Sequence, residues 1–453
     1  MYYKLKWLKK WKKEEMHVKE LWNHSGFRWY WTGLFLSSLG NSFGWMALSW
    51  FVMKKTGSPV AMGGVVLAFM LSSVAAGLVV GVLLDRFNRR RLIIWDNILR
   101  GLIYIALVLV LQSDSLPLWT VYALIIMAGL LSPLSSSGAQ ALLPRLVPDK
   151  NLLVRANGLM ESQWQMTGLF GPALAGMLIA LIGESMVLLV DACAMFLCAF
   201  CFYRISAESL DDASQQSAAG KPGEFFRSLA ADILTGYRFL FKRSQLVWLI
   251  LFTFFFNMAY GPVEVALPLY ADQLLKGGSL SLGLLWSALA GGALLGSVLF
   301  SAVTWRISTG VTLSSIIVLW GITTLPLAFF SRTDVAIIAM GLAGLSFTPY
   351  NIMYRSYLQK NIPSEMLGRV LTSVRTITGT GMPVGAGISG VLIPLLGLQG
   401  LLGAASAACI VIGLFAFPLL RGLDSSGLLA VQEGSGQTLQ PARQEEIKKG
   451  EQV

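Results

Sequence analysis

The sequence predicts an all-α membrane protein, with twelve transmembrane helices in two pseudo-symmetric six-helix bundles. Three observations carry this. The 453 residues are 55% hydrophobic and only 13% charged, with mean hydropathy +0.64, whereas a soluble domain carries about 25% charged residues. The apolar residues fall in runs of about 20, the length that crosses a hydrocarbon core. The basic residues are segregated: of 35 Lys and Arg, the connections on one side hold only Lys54, Lys55, Lys276 and Arg332. Apart from Arg100 and Arg375 well inside spans, the rest gather on the other side or at the span ends that face it. That asymmetry predicts cytoplasmic N- and C-termini. The net charge of +11 then reads as lysines and arginines facing an anionic inner leaflet, not as a nucleic-acid surface.

In chain order, residues 1–28 form a basic cytoplasmic tail. Its WLKKWKK run either lies along the membrane surface or serves as a solvated anchor. No short apolar stretch with a small-residue cleavage site follows it, so no signal peptide is expected. Apolar spans then cover 29–53, 59–84, 92–112, 117–138, 158–182, 185–204, 245–271, 279–304, 310–330, 334–357, 374–397 and 399–420. The polar break 205–244 divides them six and six. The N-terminal bundle is therefore 29–204, the cytoplasmic linker 205–244 and the C-terminal bundle 245–420. The linker's Phe225–Lys242 stretch has the spacing of a surface helix. The Gly/Ser/Gln/Glu-rich tail 421–453 lacks the apolar content to fold. Cys193, Cys198, Cys201 and Cys409 lie in spans without metal-ligand flanks, and His17 and His24 lie in the tail. No metal site, cofactor, P-loop or nucleophile–base constellation is expected, which argues against an enzyme.

The halves read as copies. Gly77 and Gly81 recur as Gly292 and Gly296; Arg155, Gly171, Gly176 and Gly183 recur as Arg369, Gly385, Gly390 and Gly397; Asn41 recurs as Asn257. All the offsets are about 215 positions, the mark of an internal repeat of parallel topology.

Span two ends as GLVVGVLLDRFNRRR, from Gly77 to Arg91. Gly77 and Gly81 form a G-x-x-x-G pair that lets two helix backbones approach. Asp85, Arg86, Arg89 and Arg90 then crowd a short turn. Anchoring to the inner leaflet explains the arginines but not Asp85, whose carboxylate can latch onto a neighbouring helix terminus or an Arg. Asn88 tolerates the left-handed conformation such a turn needs. In span five, Gly168, Gly171, Pro172 and Gly176 combine a helix-breaking proline with small residues. Close helix packing is the simpler reading of this stretch.

These stretches resemble two signatures of the major facilitator superfamily. One is the basic loop between helices two and three, here Gly81, Asp85, Arg86, Arg89 and Arg90, with Asn88 at the usual second Gly. The other is the antiporter motif of helix five, here Gly168, Gly171, Pro172 and Gly176, with Ala175 replacing one Gly. The run Ala141–Asn157 and its counterpart Gln359–Val370 resemble the macrolide-efflux and enterobactin-exporter branch. The resemblance implies the major facilitator fold, a gating role for the loop, a bacterial cell membrane, and cytoplasmic closure involving Arg155, Arg369 and Arg375. Span four lacks the Arg that many proton-driven drug exporters place there.

Charges inside spans are costly and usually functional. Glu264 and Asp191 lie roughly 10 Å from the outer surface by helical rise. Both are candidates to carry a proton, although for Asp191 a structural hydrogen-bonding role is favoured. Asp96 and Arg100, spaced i, i+4, are expected to pair. Asn41 and Asn257, with Trp45 and Tyr260, are candidate cavity residues, and helix–helix hydrogen bonding is the alternative for the two amides. Trp50, Phe255, Phe256 and Trp164 are further candidates for an aromatic wall. The expected function is secondary active export of an amphipathic organic compound, such as an antibiotic, a siderophore or a self-made product, by alternating access against inward protons. The partners expected are that small molecule, protons and membrane lipids, with the protein a monomer. A lysophospholipid or lipid flippase of the same fold, and a non-transporting membrane sensor or scaffold, are the alternatives.

Overall fold

The computed structural model describes residues 21–113, 117–147, 149–206, 231, 234–302 and 308–423. The tails before 21 and after 423, most of the linker, and Arg306 in the turn after span eight lie outside them. Long helices dominate: α1 Ser25–Thr56, α2 Pro59–Arg86, α3 Arg89–Gln112, α4 Leu118–Leu146, α5 Lys150–Ile182 and α6 Glu184–Arg204. After the linker come α7 Ser244–Leu269, α8 Gly278–Ala302, α9 Thr309–Thr324 and α10 Thr333–Asn361. The helical stretch Ser364–Leu420 is interrupted at Gly397 (φ 71°, ψ 168°), giving α11 (364–396) and α12 (398–420). Among the described residues ten helical stretches are long and apolar enough to cross a membrane, the whole of 366–420 counting as one. α1 is not among them, because Ser37, Ser38, Asn41, Ser42 and Ser49 dilute its apolar character. Breaking the chain at Gly397 and including α1 gives twelve long rods among the described residues. The described part of the expected surface helix, 234–241, is helical.

Local chemistry sets the ends. Ser58 caps α2, accepting from Ala61 N at 3.3 Å, with Pro59 at the first helical position. Asn88 has φ −62° and caps α3, its Oδ1 accepting from Arg91 N at 3.1 Å. The expected left-handed turn at Asn88 is therefore not used; a side-chain cap reverses the chain instead. The repeat-related Gly183 (φ 80°, ψ 158°) and Gly397 adopt one shared conformation that is open essentially to glycine alone. That requirement explains why both copies keep Gly there.

Helices α1–α6 pack chiefly on one another, as do α7–α12, and the halves meet through α2 with α11 and α5 with α8. These joints sit near Gly57, Gly183, Gly278 and Gly397. A Cβ on Gly63 would lie 2.7 Å from the Ala386 carbonyl, and one on Gly176 would lie 2.4 Å from that of Ser279. One apolar core runs through both halves at this end, including Phe51, Val187, Leu285 and Leu398. At the opposite end the core divides, one part around Phe27 and Phe202 and the other around Leu246 and Tyr357. The halves are therefore joined at one end and parted at the basic end, where Asn88 and Arg369 lie.

The expected close packing of Gly77 and Gly81 is absent. No atom approaches within 4 Å of a Cβ built on either residue. Their twins are tightly packed: a Cβ on Gly292 would sit 1.8 Å from the Gly341 carbonyl, and one on Gly296 2.3 Å from that of Leu345. The second pair joins two helices of one half, whereas the first faces open space at the parted end.

Candidate functional site

Between the halves lies a cavity of about 340 Å³. The N-terminal half contributes Ser42 and Trp45 from α1 and Gly168 and Pro172 from α5. The C-terminal half contributes Glu264 from α7, Trp286 from α8 and Phe347 from α10. Backbone proximity positions these groups. Gly171 brings α5 against α1, where an added Cβ would lie 2.5 Å from Ser42 Oγ. Gly283 brings α8 against α5, where an added Cβ would lie 2.5 Å from the Pro172 carbonyl, and Ser287 Oγ accepts from Ala173 N at 3.1 Å. On the other side Gly261, Gly381 and Gly385 seat α7 on α11, and each Cβ would fall within 2.4 Å of a backbone carbonyl. Such contacts between small residues are how helices associate where apolar burial gives little drive.

Glu264 is the only ionisable side chain among the described residues of the lining. Trp45 Nε1 donates to its Oε2 at 3.3 Å, a bond that crosses between the halves. Trp45 in turn packs on Phe69 with ring centroids 5.2 Å apart. The site thus offers one carboxylate on an aromatic, otherwise nearly apolar wall. Such a surface accommodates an apolar molecule carrying a cationic or donor group.

Of the four cavity candidates read from the sequence, Trp45 lines the site. Tyr260 sits behind it, 5.2 Å from the Trp320 ring and 6.0 Å from that of Phe347. Asn41 instead meets Arg100, whose Nη2 donates to its Oδ1. Asn257 Nδ2 donates to the Thr378 carbonyl at 2.9 Å. Both amides make the helix–helix bonds held as the alternative. Trp50 and Phe256 are buried in the core, and Phe255 and Trp164 are exposed away from the cavity lining. Sequence reading missed Trp286 and Phe347. For Trp286 a signal existed, because it lies three residues from Gly283 and shares the face of α8 that meets the other half.

A second polar cluster lies inside the N-terminal half. Arg100 Nη1 and Asp96 Oδ2 are 3.8 Å apart, the expected i, i+4 pair. Ser135 Oγ donates to Asp96, and Asn97 Nδ2 donates to Ser135 Oγ at 2.9 Å. Asp191 is fully buried and close enough for Arg100 to feel its charge. Neither Asp191 oxygen has a hydrogen-bond partner among the described residues. The favoured structural hydrogen-bonding role for Asp191 is therefore not what the structure shows. Its carboxylate lies flat on α1, where Gly40 and Gly44 leave room. An added Cβ on Gly44 would be 1.8 Å from Asp191 Oδ2, and one on Gly40 2.5 Å from Oδ1. The α1 backbone has already used its amides in helix bonds and offers no donor.

The basic turn binds helix ends. Arg89 donates from Nε to the Leu84 carbonyl at 3.2 Å and from Nη1 to that of Ala141 at 3.1 Å. Arg90 donates to the carbonyls of Phe202 and Tyr203 at the end of α6. Two arginines thus hold the C-termini of α2, α4 and α6, where the helix dipoles favour cations. The side chain of Asp85 lies outside the described residues. Arg155 and Arg369 stand at the parted end, one in each half, and Arg375 lies in a separate cavity near Asn257.

The fold and the chain have recognisable relatives. A crystal structure of the nucleoside transporter NupG superposes with TM-score 0.71 at 11% identity, over 88% of this chain and 99% of that one. A POT family transporter gives TM-score 0.68 at 12% identity, over 87% and 96%. In sequence, the multidrug efflux pump Tap of Mycobacterium tuberculosis is 26% identical over 396 residues, covering 86% of this chain and 92% of Tap. Macrolide efflux protein A of Streptococcus pyogenes is 22% identical over 411 residues, covering 89% and 99%. The family model described as Major Facilitator Superfamily matches residues 30–386. With its long apolar helices, its halves joined at one end and a cavity between them, this multi-pass membrane chain belongs to the major facilitator superfamily.

Proposed function

We propose that the protein is a secondary active exporter of an amphipathic organic compound, driven by inward protons through alternating access. The observation that carries this is Glu264, a lone carboxylate in the aromatic cavity between the halves, bonded across them by Trp45. A carboxylate shared between a substrate and a proton couples the two, because one occupant must leave before the other binds. Asp191, buried without hydrogen-bond partners among the described residues, is a second proton carrier. The names of the efflux relatives support an outward direction. In this reading the parted end faces the cytoplasm of a bacterium, both termini lie inside, and the units are the 29–204 and 245–420 bundles joined by the 205–244 linker. Asp85 with the arginines of the basic turn, together with Arg155, Arg369 and Arg375, governs closure of that end, and the protein works as a monomer.

The test is reconstitution in liposomes with an imposed pH gradient, screening macrolides, cationic dyes and catecholate siderophores. Gradient-dependent accumulation that is lost in Glu264→Gln is the expected result. If no compound moves with or without the gradient, the export reading fails.

A further inference from the structure

The C-terminal half contains a second cavity, of about 270 Å³, between α10 and α11 and backed by α7. It touches the central cavity only through Phe347, which lines both. Two polar stripes face each other across it. Asn351, Arg355 and Gln359 follow one another at i, i+4 spacing on α10, and Arg375 and Thr378 share a face of α11. The back wall is fixed. Thr253 Oγ1 and Tyr350 OH are 2.7 Å apart, Asn257 is tied to the Thr378 carbonyl, and Tyr350 stacks on Tyr354 with centroids 5.9 Å apart.

The charges of this cleft are incomplete. Among the described residues its lining holds two guanidiniums and no acid. Neither Arg355 nor Arg375 makes an ion pair or hydrogen bond with a described residue. Both guanidiniums are exposed on the walls of the cleft, so solvent screens part of their mutual repulsion and leaves both free to take an anion. An anion between them relieves the rest. Guanidiniums recognise planar or tetrahedral oxyanions through paired N–H donors, and the Asn351 and Gln359 amides add further donors. The tyrosines and Phe347 offer an apolar face for whatever carries the charge.

We propose that this cleft is an oxyanion site that takes a phosphate or carboxylate attached to a small apolar body. Arg355 and Arg375 hold the charged group and the Tyr350–Tyr354 wall holds the body. The site is distinct from the Glu264 cavity and opens at the parted end. A soluble organic anion and an anionic lipid headgroup present the same chemistry to it.

The test is calorimetric titration of the full chain in phosphatidylcholine nanodiscs with phenyl phosphate, inorganic phosphate and, as the uncharged counterpart, benzyl alcohol. A parallel set of discs contains phosphatidylglycerol. Phenyl phosphate is expected to bind more tightly than inorganic phosphate, with benzyl alcohol silent. Arg355→Gln and Arg375→Gln are each expected to weaken binding by about tenfold or more, the worth of a charge-assisted hydrogen bond. Arg375→Lys should lose less than Arg375→Gln, because it keeps the charge. Suppression of phenyl phosphate binding by phosphatidylglycerol, relieved in Arg355→Gln, assigns the site to a lipid headgroup; no suppression assigns it to a soluble anion. Thermal unfolding of each variant separates loss of the site from loss of the fold, and the Lys variant serves if a Gln variant does not fold. Absence of oxyanion binding in the unsubstituted chain, or unchanged affinity in the variants that fold, overturns the proposal. The titration needs no gradient and no flux, so its outcome is independent of whether export is observed.

Discussion

The two glycine pairs, Gly77/Gly81 and Gly292/Gly296, should respond in opposite ways to the same substitution. A Cβ on Gly292 would lie 1.8 Å from the Gly341 carbonyl, roughly half an ordinary van der Waals separation. α8 and α10 would have to part, and overpacking of this kind costs about 1–3 kcal/mol or more. Gly81→Ala meets nothing within 4 Å and gains about 0.5–1 kcal/mol of helix propensity. Gly292→Ala is therefore expected to lower the thermal unfolding temperature in detergent, while Gly81→Ala leaves it unchanged or raises it. Function should reverse the order. If the parted end closes during transport, the bare backbone at Gly77 and Gly81 is where α2 must be approached. Gly81→Leu should then leave stability intact and reduce flux in proteoliposomes about tenfold or more, with the halves held apart. Spin labels at Gly158 and Gly368, both in open space at that end, would report the separation directly. Normal flux in Gly81→Leu, or destabilisation matching that of Gly292→Ala, would refute the reasoning.

Four further outcomes are expected. Glu264→Gln should abolish accumulation driven by the pH gradient while leaving equilibrium binding of an uncharged substrate, as measured by tryptophan quenching; unchanged accumulation removes Glu264 as the carrier. Trp286→Ala should weaken substrate binding by about tenfold, since a buried aromatic anchor is worth on the order of 1–3 kcal/mol, with little change in unfolding temperature. Gly44→Ala should destabilise the fold by driving a methyl into the Asp191 carboxylate. Adding Asp191→Ala should recover most of that loss, a coupling that a double-mutant cycle measures; additive losses would contradict the geometry. Asp85→Asn should slow transport without changing substrate affinity, and wild-type turnover in that variant would limit the basic turn to holding helix ends.

What could be read from the sequence follows from what a bilayer selects. The spans were legible because length and apolarity suffice to cross hydrocarbon, and the repeat was legible because Gly183 and Gly397 must both be glycine. Facing was not legible. In a soluble helix the apolar stripe marks the core, but around α8 nearly every side is apolar or small, since lipid and protein interior select alike. So the sequence leaves Asn41 open between a cavity and a helix–helix bond, of which the structure makes the second, to Arg100, and it does not mark Trp286 and Phe347 among the span residues. The G-x-x-x-G pattern likewise marks a backbone that can be approached without saying when. At Gly292 the approach is made in this structure, and at Gly77 it is not. Asp191 shows the converse: an acid in a span invites a search for donors, yet the two glycines facing it provide room and no hydrogen bond.

The glycines at 183 and 397 also bear on how force passes through the molecule. Each is the whole connection between two long helices, α5 to α6 and α11 to α12. A single-residue link cannot stretch, so the facing ends of the two helices stay one residue apart. Each helix pair therefore behaves as one bent strut. The α2–α11 and α5–α8 joints lie beside these links, so the bent struts and the contacts between the halves are continuous. A tag or an added residue at either glycine would introduce slack where the molecule has none, and should uncouple cavity occupancy from movement of the far end while leaving the helices themselves intact.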